Sequence, residues 1–184
     1  MLIIGITGPA GAGKDISAEY LASKLGFPHN SGGDVIRGIL KNMGLPVEKT
    51  KVVALGNFLR ENYGTDFVAS RAIGDDNGKG VIYSGFRSPS EAQYAKDQGG
   101  YIIYMDAPSE VRHARILERQ RSDDTTDRAT MEEIDRKEQL AKDDAGENLG
   151  KVRELADFVV MNDSDLNGLH AKLDEIIQKL TTNS

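Results

Sequence analysis

Residues 8–15 read Gly-Pro-Ala-Gly-Ala-Gly-Lys-Asp, with Gly8, Gly13 and Lys14 spaced as in a loop that can wrap a phosphate chain. Backbone N–H groups along Gly8, Ala10, Gly11, Ala12 and Gly13 can converge on anionic oxygens there. A helix opening at Lys14, Asp15 and Ile16 adds its partial positive charge. Lys14 is placed to reach the β and γ phosphates of a bound nucleotide. The pattern G-x-x-x-x-G-K-[ST] ends in a hydroxyl that meets Mg²⁺, but this chain has Asp15 instead. A carboxylate oxygen is also a hard ligand for Mg²⁺. Asp15 is therefore a candidate metal ligand, and its charge beside a triphosphate implies strong dependence on a divalent cation. The alternative for Asp15 is a helix cap. The alternative for the whole stretch is a glycine-rich turn that binds nothing. The apolar run before it and the amphipathic segment after it are the context a phosphate loop needs.

Such a loop has to be held by a strand and a helix. Short apolar runs recur at 2–7, 81–85, 101–106 and 158–162, with a weaker candidate at 27–31. Near-continuous apolar runs suit strands buried on both faces of a parallel sheet. Between them lie segments of helical spacing. Ile16, Tyr20, Leu21 and Leu25 form one stripe, and Gly26 stops that helix. Ser88-Pro89 opens a helix to about Gln98, and Thr50 and Thr65 could cap two short helices in the middle region. Ser164 opens the last helix, with Leu166, Leu169, Leu173, Ile176, Ile177 and Leu180 toward the core. The alternation predicts an α/β fold, doubly wound about a parallel sheet.

The whole chain sets limits on function. Its 184 residues suit one domain, 1–184, with a real core. Net charge is −6, which argues against a general nucleic-acid partner. No apolar run is long enough to span a membrane, and there is no cysteine for disulfides or thiolate metal sites. A cytoplasmic protein, monomer or homodimer, is the expectation.

In order along the chain, several segments resemble those of P-loop small-molecule kinases, especially nucleoside monophosphate kinases. "GPAGAGKD" resembles their phosphate loop, and "SGGDVIR" (31–37) resembles S-x-G-D-x-x-R, which opens an acceptor-binding helix. "SGFR" (84–87) is similar to D-G-F-P-R but lacks the Asp and Pro. "DAPSEVRHARILERQRSDD" (106–124) resembles the strand, helix and lid start. "ADFVVMND" (156–163) resembles the last strand and the loop beside the adenine ring. The G-K-D form also resembles phage-type deoxynucleoside monophosphate kinases and animal phosphomevalonate kinases, and "ADFVVMND" resembles the end of dephospho-coenzyme A kinases.

The resemblance implies a three-layer α/β/α P-loop NTPase fold with a five-stranded parallel sheet. It implies two small mobile insertions, an acceptor-binding region at about 33–75 and a lid at about 119–142. It implies ATP and Mg²⁺ as cofactors and a phosphorylated acceptor, a nucleoside monophosphate, as partner. Phosphoryl transfer needs positive charge more than acid–base chemistry, and the planar fork of arginine matches phosphate oxygens. Arg37, Arg87 and Arg60 fall on the acceptor side. Arg115, Arg119 and Arg136 fall on the donor side, with Arg87, Arg119 and Arg136 expected to join Lys14 in catalysis. The alternative for the lid arginines is a solvated, salt-bridged helix. Asn162 is expected beside the nucleotide. Asp34 would organise the acceptor helix and the metal's water shell, would act as base for a hydroxyl acceptor, or would only cap a helix. Ser84 stands where such kinases carry an Asp, as though the acid had moved to position 15. His29, His113 and His170 have no ligand spacing and read as surface or packing residues. A dephospho-coenzyme A kinase, another small-molecule kinase, or a regulatory nucleotide-binding module with weak ATPase activity stay open as alternatives.

Overall fold

The structure, a computed structural model, describes residues 1–74, 78–86, 88–119, 127–140 and 148–182. Five strands form one parallel sheet: β1 (Leu2–Thr7), β2 (His29–Ser31), β3 (Gly80–Ser84), β4 (Tyr101–Asp106) and β5 (Phe158–Met161). Their order is β2-β3-β1-β4-β5. The register pairs Ile6 with Ser84 and with Ile103, so β1 is central and its end lies between the ends of β3 and β4. The helices are α1 (Lys14–Leu25), α2 (Gly32–Asn42), α3 (Lys49–Tyr63), α4 (Phe67–Gly74), α5 (Pro89–Asp97), α6 (Ser109–Arg119), α7 (Arg128–Leu140), α8 (Leu149–Leu155) and α9 (Leu166–Thr182).

Alternation along the strands divides the core into two layers, because successive side chains point to opposite faces. Ile4, Ile6, Ile82, Ile103 and Met105 pack under α1 and α9 with Leu21, Leu169 and Leu173. Ile3, Val81, Tyr83 and Ile102 pack against α4, α5 and α8 with Ala72, Ala92 and Val152. Each buried Ile or Leu contributes about 1.5–3 kcal/mol. This is the α/β/α P-loop NTPase arrangement. A smaller cluster of Ile36, Leu59 and Val68 joins α2, α3 and α4 outside the sheet.

Several local expectations change. The edge strand β5 leaves Val159 and Met161 partly exposed, so it is not buried on both faces. On α1 the buried residues are Ser17, Ala18 and Leu21, while Ile16 is 40% exposed. Beginning at a loop that needs α1's N-terminus, the helix meets the sheet through small residues. Thr50 lies inside α3, whose N-cap is Glu48. The first turn of α9 is capped by Asp165, whose Oδ1 accepts from Gly168 N at 2.8 Å, and not by Ser164. Leu166, one residue on, is then exposed. The Ser88 cap with Pro89 in the first turn, and the left-handed Gly26 after α1, are as expected.

Candidate functional site

Three carbonyls of the 8–15 loop accept from side chains. Lys14 Nζ donates to the Pro9 carbonyl at 2.8 Å. Arg112 Nη1 donates to the Ala10 carbonyl at 3.2 Å. Asn162 Nδ2 donates to the Ala12 carbonyl at 3.0 Å. In a trans peptide the N–H of the next residue points opposite to the carbonyl. Fixing these carbonyls therefore turns the N–H groups of Ala10, Gly11 and Gly13 each away from the side chain that holds the preceding carbonyl. Glycine is required by close approach at three points. A Cβ on Gly8 would run into the Met105 carbonyl oxygen, one on Gly11 would lie 2.6 Å from the Arg112 carbonyl oxygen, and one on Gly13 would run into Asn162 Nδ2.

The loop's surroundings come from the carboxyl ends of the strands. Gly85 N donates to the Ile6 carbonyl at 3.0 Å and Thr7 Oγ1 to the Phe86 carbonyl at 2.8 Å, which folds the chain after β3 over the end of β1. β1 lies between two later strands, so this end of the sheet is a topological switch point, where α/β sheets form their ligand crevice. Ser84 is buried, and its hydroxyl meets His29 Nε2 at 2.8 Å. His29 is thus more than a packing residue: it holds the hydroxyl at the position where the resemblance implies an acid. His170 stacks on Tyr20, ring centroids 3.8 Å apart.

On the donor side, Asn162 is buried and its side chain is turned to the loop. Arg115 Nη2 donates to Asn162 Oδ1 at 3.4 Å. Among the described residues, Arg115 Nη1 is buried with no hydrogen-bond partner. Asp15 is exposed in the first turn of α1, beside Lys14. Arg136 is exposed on α7. Arg87 and the side chain of Arg119 lie outside the described residues, as do 120–126 and 141–142 of the expected lid and residue 75 of the expected acceptor region.

On the acceptor side, Ser31 caps α2. Its Oγ accepts from Asp34 N at 3.1 Å and donates to Asp34 Oδ2 at 2.6 Å. Asp34 is therefore a first-turn residue reinforcing a cap, not the cap itself. Its side chain stays 69% exposed, and Arg37 Nη1 sits 3.3 Å from its Oδ1. Arg60 Nε donates to Glu91 Oε1 at 3.1 Å. Glu91 is fully buried in the first turn of α5. Among the described residues neither Nη of Arg60 is bonded, so its fork remains open beyond that ion pair. A cavity of about 480 Å³ lies between α2 and α4, lined in part by Asp34, Asn42, Ser70 and Arg71.

Two structural partners escape a reading of the sequence. Arg112 lies one turn before Arg115 in a run of alternating charges, and nothing local marks it as the one that reaches the loop. Glu91 reads as a first-turn acid of α5, and only the fold brings Arg60 to it.

Among the described residues no group of three or more His, Cys, Asp or Glu side chains could hold a metal ion, and no helix is long and apolar enough to cross a membrane. The sequence pattern of the AAA domain family matches residues 7–135. The UPF0200 protein MJ1399 of Methanocaldococcus jannaschii is 34% identical, over 100% of this chain and 92% of its own length. The UPF0200 protein Ta0179 of Thermoplasma acidophilum is 32% identical, over 95% of this chain and 94% of its own. Among solved structures, the shikimate kinase of Acinetobacter baumannii, in complex with shikimate, superposes with a TM-score of 0.61. It does so at 16% identity, covering 99% of this chain and 94% of that one. The shikimate kinase of Bacteroides thetaiotaomicron gives the same TM-score at 14% identity, covering 98% of each chain. The AAA domain match spans the phosphate loop, the sheet neighbours extend the likeness over the whole fold, and the chain belongs to the UPF0200 family, with a P-loop kinase-like fold.

Proposed function

We propose that this protein is an ATP- and Mg²⁺-dependent phosphotransferase whose acceptor is a nucleoside or deoxynucleoside monophosphate. The observation that supports the reading is the phosphate loop, with three of its carbonyls held by Lys14, Arg112 and Asn162. The fit to a triphosphate has independent support in Arg115. A buried guanidinium nitrogen without a partner is costly, and an anion beside the loop would satisfy it. The fit to Mg²⁺ rests on Asp15. This ion keeps several waters and takes one or two carboxylates together with substrate phosphates, so it needs no protein cage. When bound, it supplies charge neutralisation across the β and γ phosphates.

The chain's own part is positioning and electrostatics. Lys14 leaves the Pro9 carbonyl to meet the transferred group. Arg37 and the open fork of Arg60 orient an acceptor phosphate, joined by Arg87, while Arg119 and Arg136 come from the donor side. An acceptor phosphate oxygen forms the new bond to the γ-phosphorus. The bond from that phosphorus to the β–γ bridging oxygen breaks, and ADP leaves. A phosphate acceptor is already ionised near neutral pH, so no base is required. The same reading takes the whole chain as one domain, cytoplasmic, acting as monomer or homodimer.

One observation favours a second acceptor chemistry. The Asp34 carboxylate is mostly exposed at the start of α2, where it could take a proton from a hydroxyl. A panel of nucleoside monophosphates and phosphorylated alcohols, incubated with ATP and Mg²⁺ and read by ADP release, separates the two. Release stimulated by a nucleoside monophosphate supports the proposal. Release stimulated only by hydroxyl acceptors refutes it.

A further inference from the structure

We infer that Arg112 is a positioning residue that couples α7 to the phosphate loop, so that nucleotide in the loop orders α7. The inference rests on the nucleotide reading above and assigns a regulatory contact to that site. Arg112 is buried and spends its guanidinium on three elements. Nε donates to the Ala107 carbonyl at 3.1 Å, which anchors the fork at the end of β4. Nη1 is shared between the Ala10 carbonyl at 3.2 Å and Asp135 Oδ1 at 3.1 Å, and Nη2 bonds Asp135 Oδ2. Asp135 belongs to α7, which follows α6 across residues outside the description.

The geometry makes the two contacts interdependent. The guanidinium is planar and its donors cannot move separately. A shift of Asp135 tilts the plane and disturbs the bond to Ala10. The Ala10–Gly11 peptide has its N–H turned away from Arg112 by that bond, so its orientation bears on how the loop would meet a phosphate. Gly11 also packs on the Arg112 backbone, where a Cβ would meet the carbonyl oxygen at 2.6 Å. A second ion pair between α6 and α7, Glu110 with Arg128 at 3.5 Å, is exposed at both ends, and such pairs contribute little. The Arg112–Asp135 pair is buried on the Arg112 side and largely covered on the Asp135 side, with side chains 7% and 16% exposed. It is a directional tie between the two helices, and Met131 on the same helix is buried. Coupling of this kind is reciprocal. Whatever nucleotide does for α7, α7 does for nucleotide affinity, typically by about 5–150-fold.

The test is amide hydrogen exchange across Arg128–Leu140 in the full chain, free and with Mg²⁺ plus a non-hydrolysable ATP analogue, beside direct titration of the analogue. In the unsubstituted protein the analogue should slow exchange in α7. Asp135→Asn should lose the protection of α7 and weaken analogue binding by the same coupling factor, about 5-fold or more, because the two effects are one linkage. Arg112→Lys should lose both, with affinity falling about tenfold or more, because an ammonium cannot copy the fork. Should Arg112→Lys fail to fold by thermal melting, Asp135→Asn decides alone. Full protection of α7 in Asp135→Asn overturns the coupling while leaving nucleotide binding intact. Absence of analogue binding in the unsubstituted protein overturns the nucleotide reading, and this inference with it.

Discussion

Asn162, just past the end of β5, donates its side-chain amide to the carbonyl of Ala12 in the phosphate loop at 3.0 Å. The same side chain accepts from Arg115 and stands where a Cβ on Gly13 would be. The last strand of the sheet therefore fixes the loop that follows the first.

Asn162→Ala removes that donor and leaves a buried carbonyl unmatched, at a cost of about 1–3 kcal/mol. Part of that cost should appear as about tenfold weaker nucleotide binding. Asn162→Asp should be worse, since a carboxylate would face the Ala12 carbonyl. Titration with a fluorescent ATP analogue measures both. Equal affinity in the three proteins would show that the loop holds its shape without Asn162.

Arg60 and Glu91 make a different prediction because their ion pair is buried on the Glu91 side. Arg60→Ala removes one partner of a fully buried carboxylate, and breaking a buried ion pair costs up to about 3–5 kcal/mol. Denaturant melts should show this loss, and Arg60→Ala with Glu91→Gln together should recover part of it. If Arg60 also grips the acceptor, Glu91→Gln alone should raise the acceptor KM and leave the ATP KM near its original value. A simple stability role would leave both KM values unmoved.

Asp15 is exposed in the first turn of α1. As a metal contact, it predicts that Asp15→Asn raises the Mg²⁺ concentration for half-maximal rate several-fold, and that Asp15→Ser does so less. Identical metal titrations in all three proteins would reduce Asp15 to a favourable charge at a helix N-terminus.

Asp34→Asn distinguishes acceptors. It keeps an oxygen for the Ser31 hydroxyl, so α2 should stay capped. With a phosphate acceptor the kcat should fall by less than about tenfold, since no base is lost. With a hydroxyl acceptor the loss should be about 10²–10⁴ and should depend on pH. Steady-state kinetics with both substrates varied reads the difference.

What the sequence makes legible is local. Gly8, Gly13 and Lys14 announce the loop because a phosphate nest needs close spacing and no side chains. Gly26 and Ser88-Pro89 mark helix ends because each acts on its own turn. The cap of α9 moves from Ser164 to Asp165 because two competent caps are adjacent and only the path out of β5 chooses between them. Ile16 fits a helical stripe, but the start of α1 is set by the loop rather than by the core. Arg112, Glu91 and the His29–Ser84 pair are illegible for another reason. Their partners lie tens of positions away, and each would read as an ordinary surface or capping residue until the fold brings α6 to the loop, α3 to α5 and β2 to β3.

The central claim is that Lys14 serves transfer of the γ-phosphoryl group to a nucleoside monophosphate. The direct measurement follows labelled γ-phosphate from ATP into isolated nucleoside diphosphate product, in the unsubstituted protein and in Lys14→Ala. The account predicts labelled diphosphate from the unsubstituted protein and a kcat lower by about 10²-fold or more in Lys14→Ala, the loss expected when transition-state charge stabilisation is removed. Label appearing only as inorganic phosphate whichever monophosphate is supplied, or equal transfer by Lys14→Ala, would contradict it.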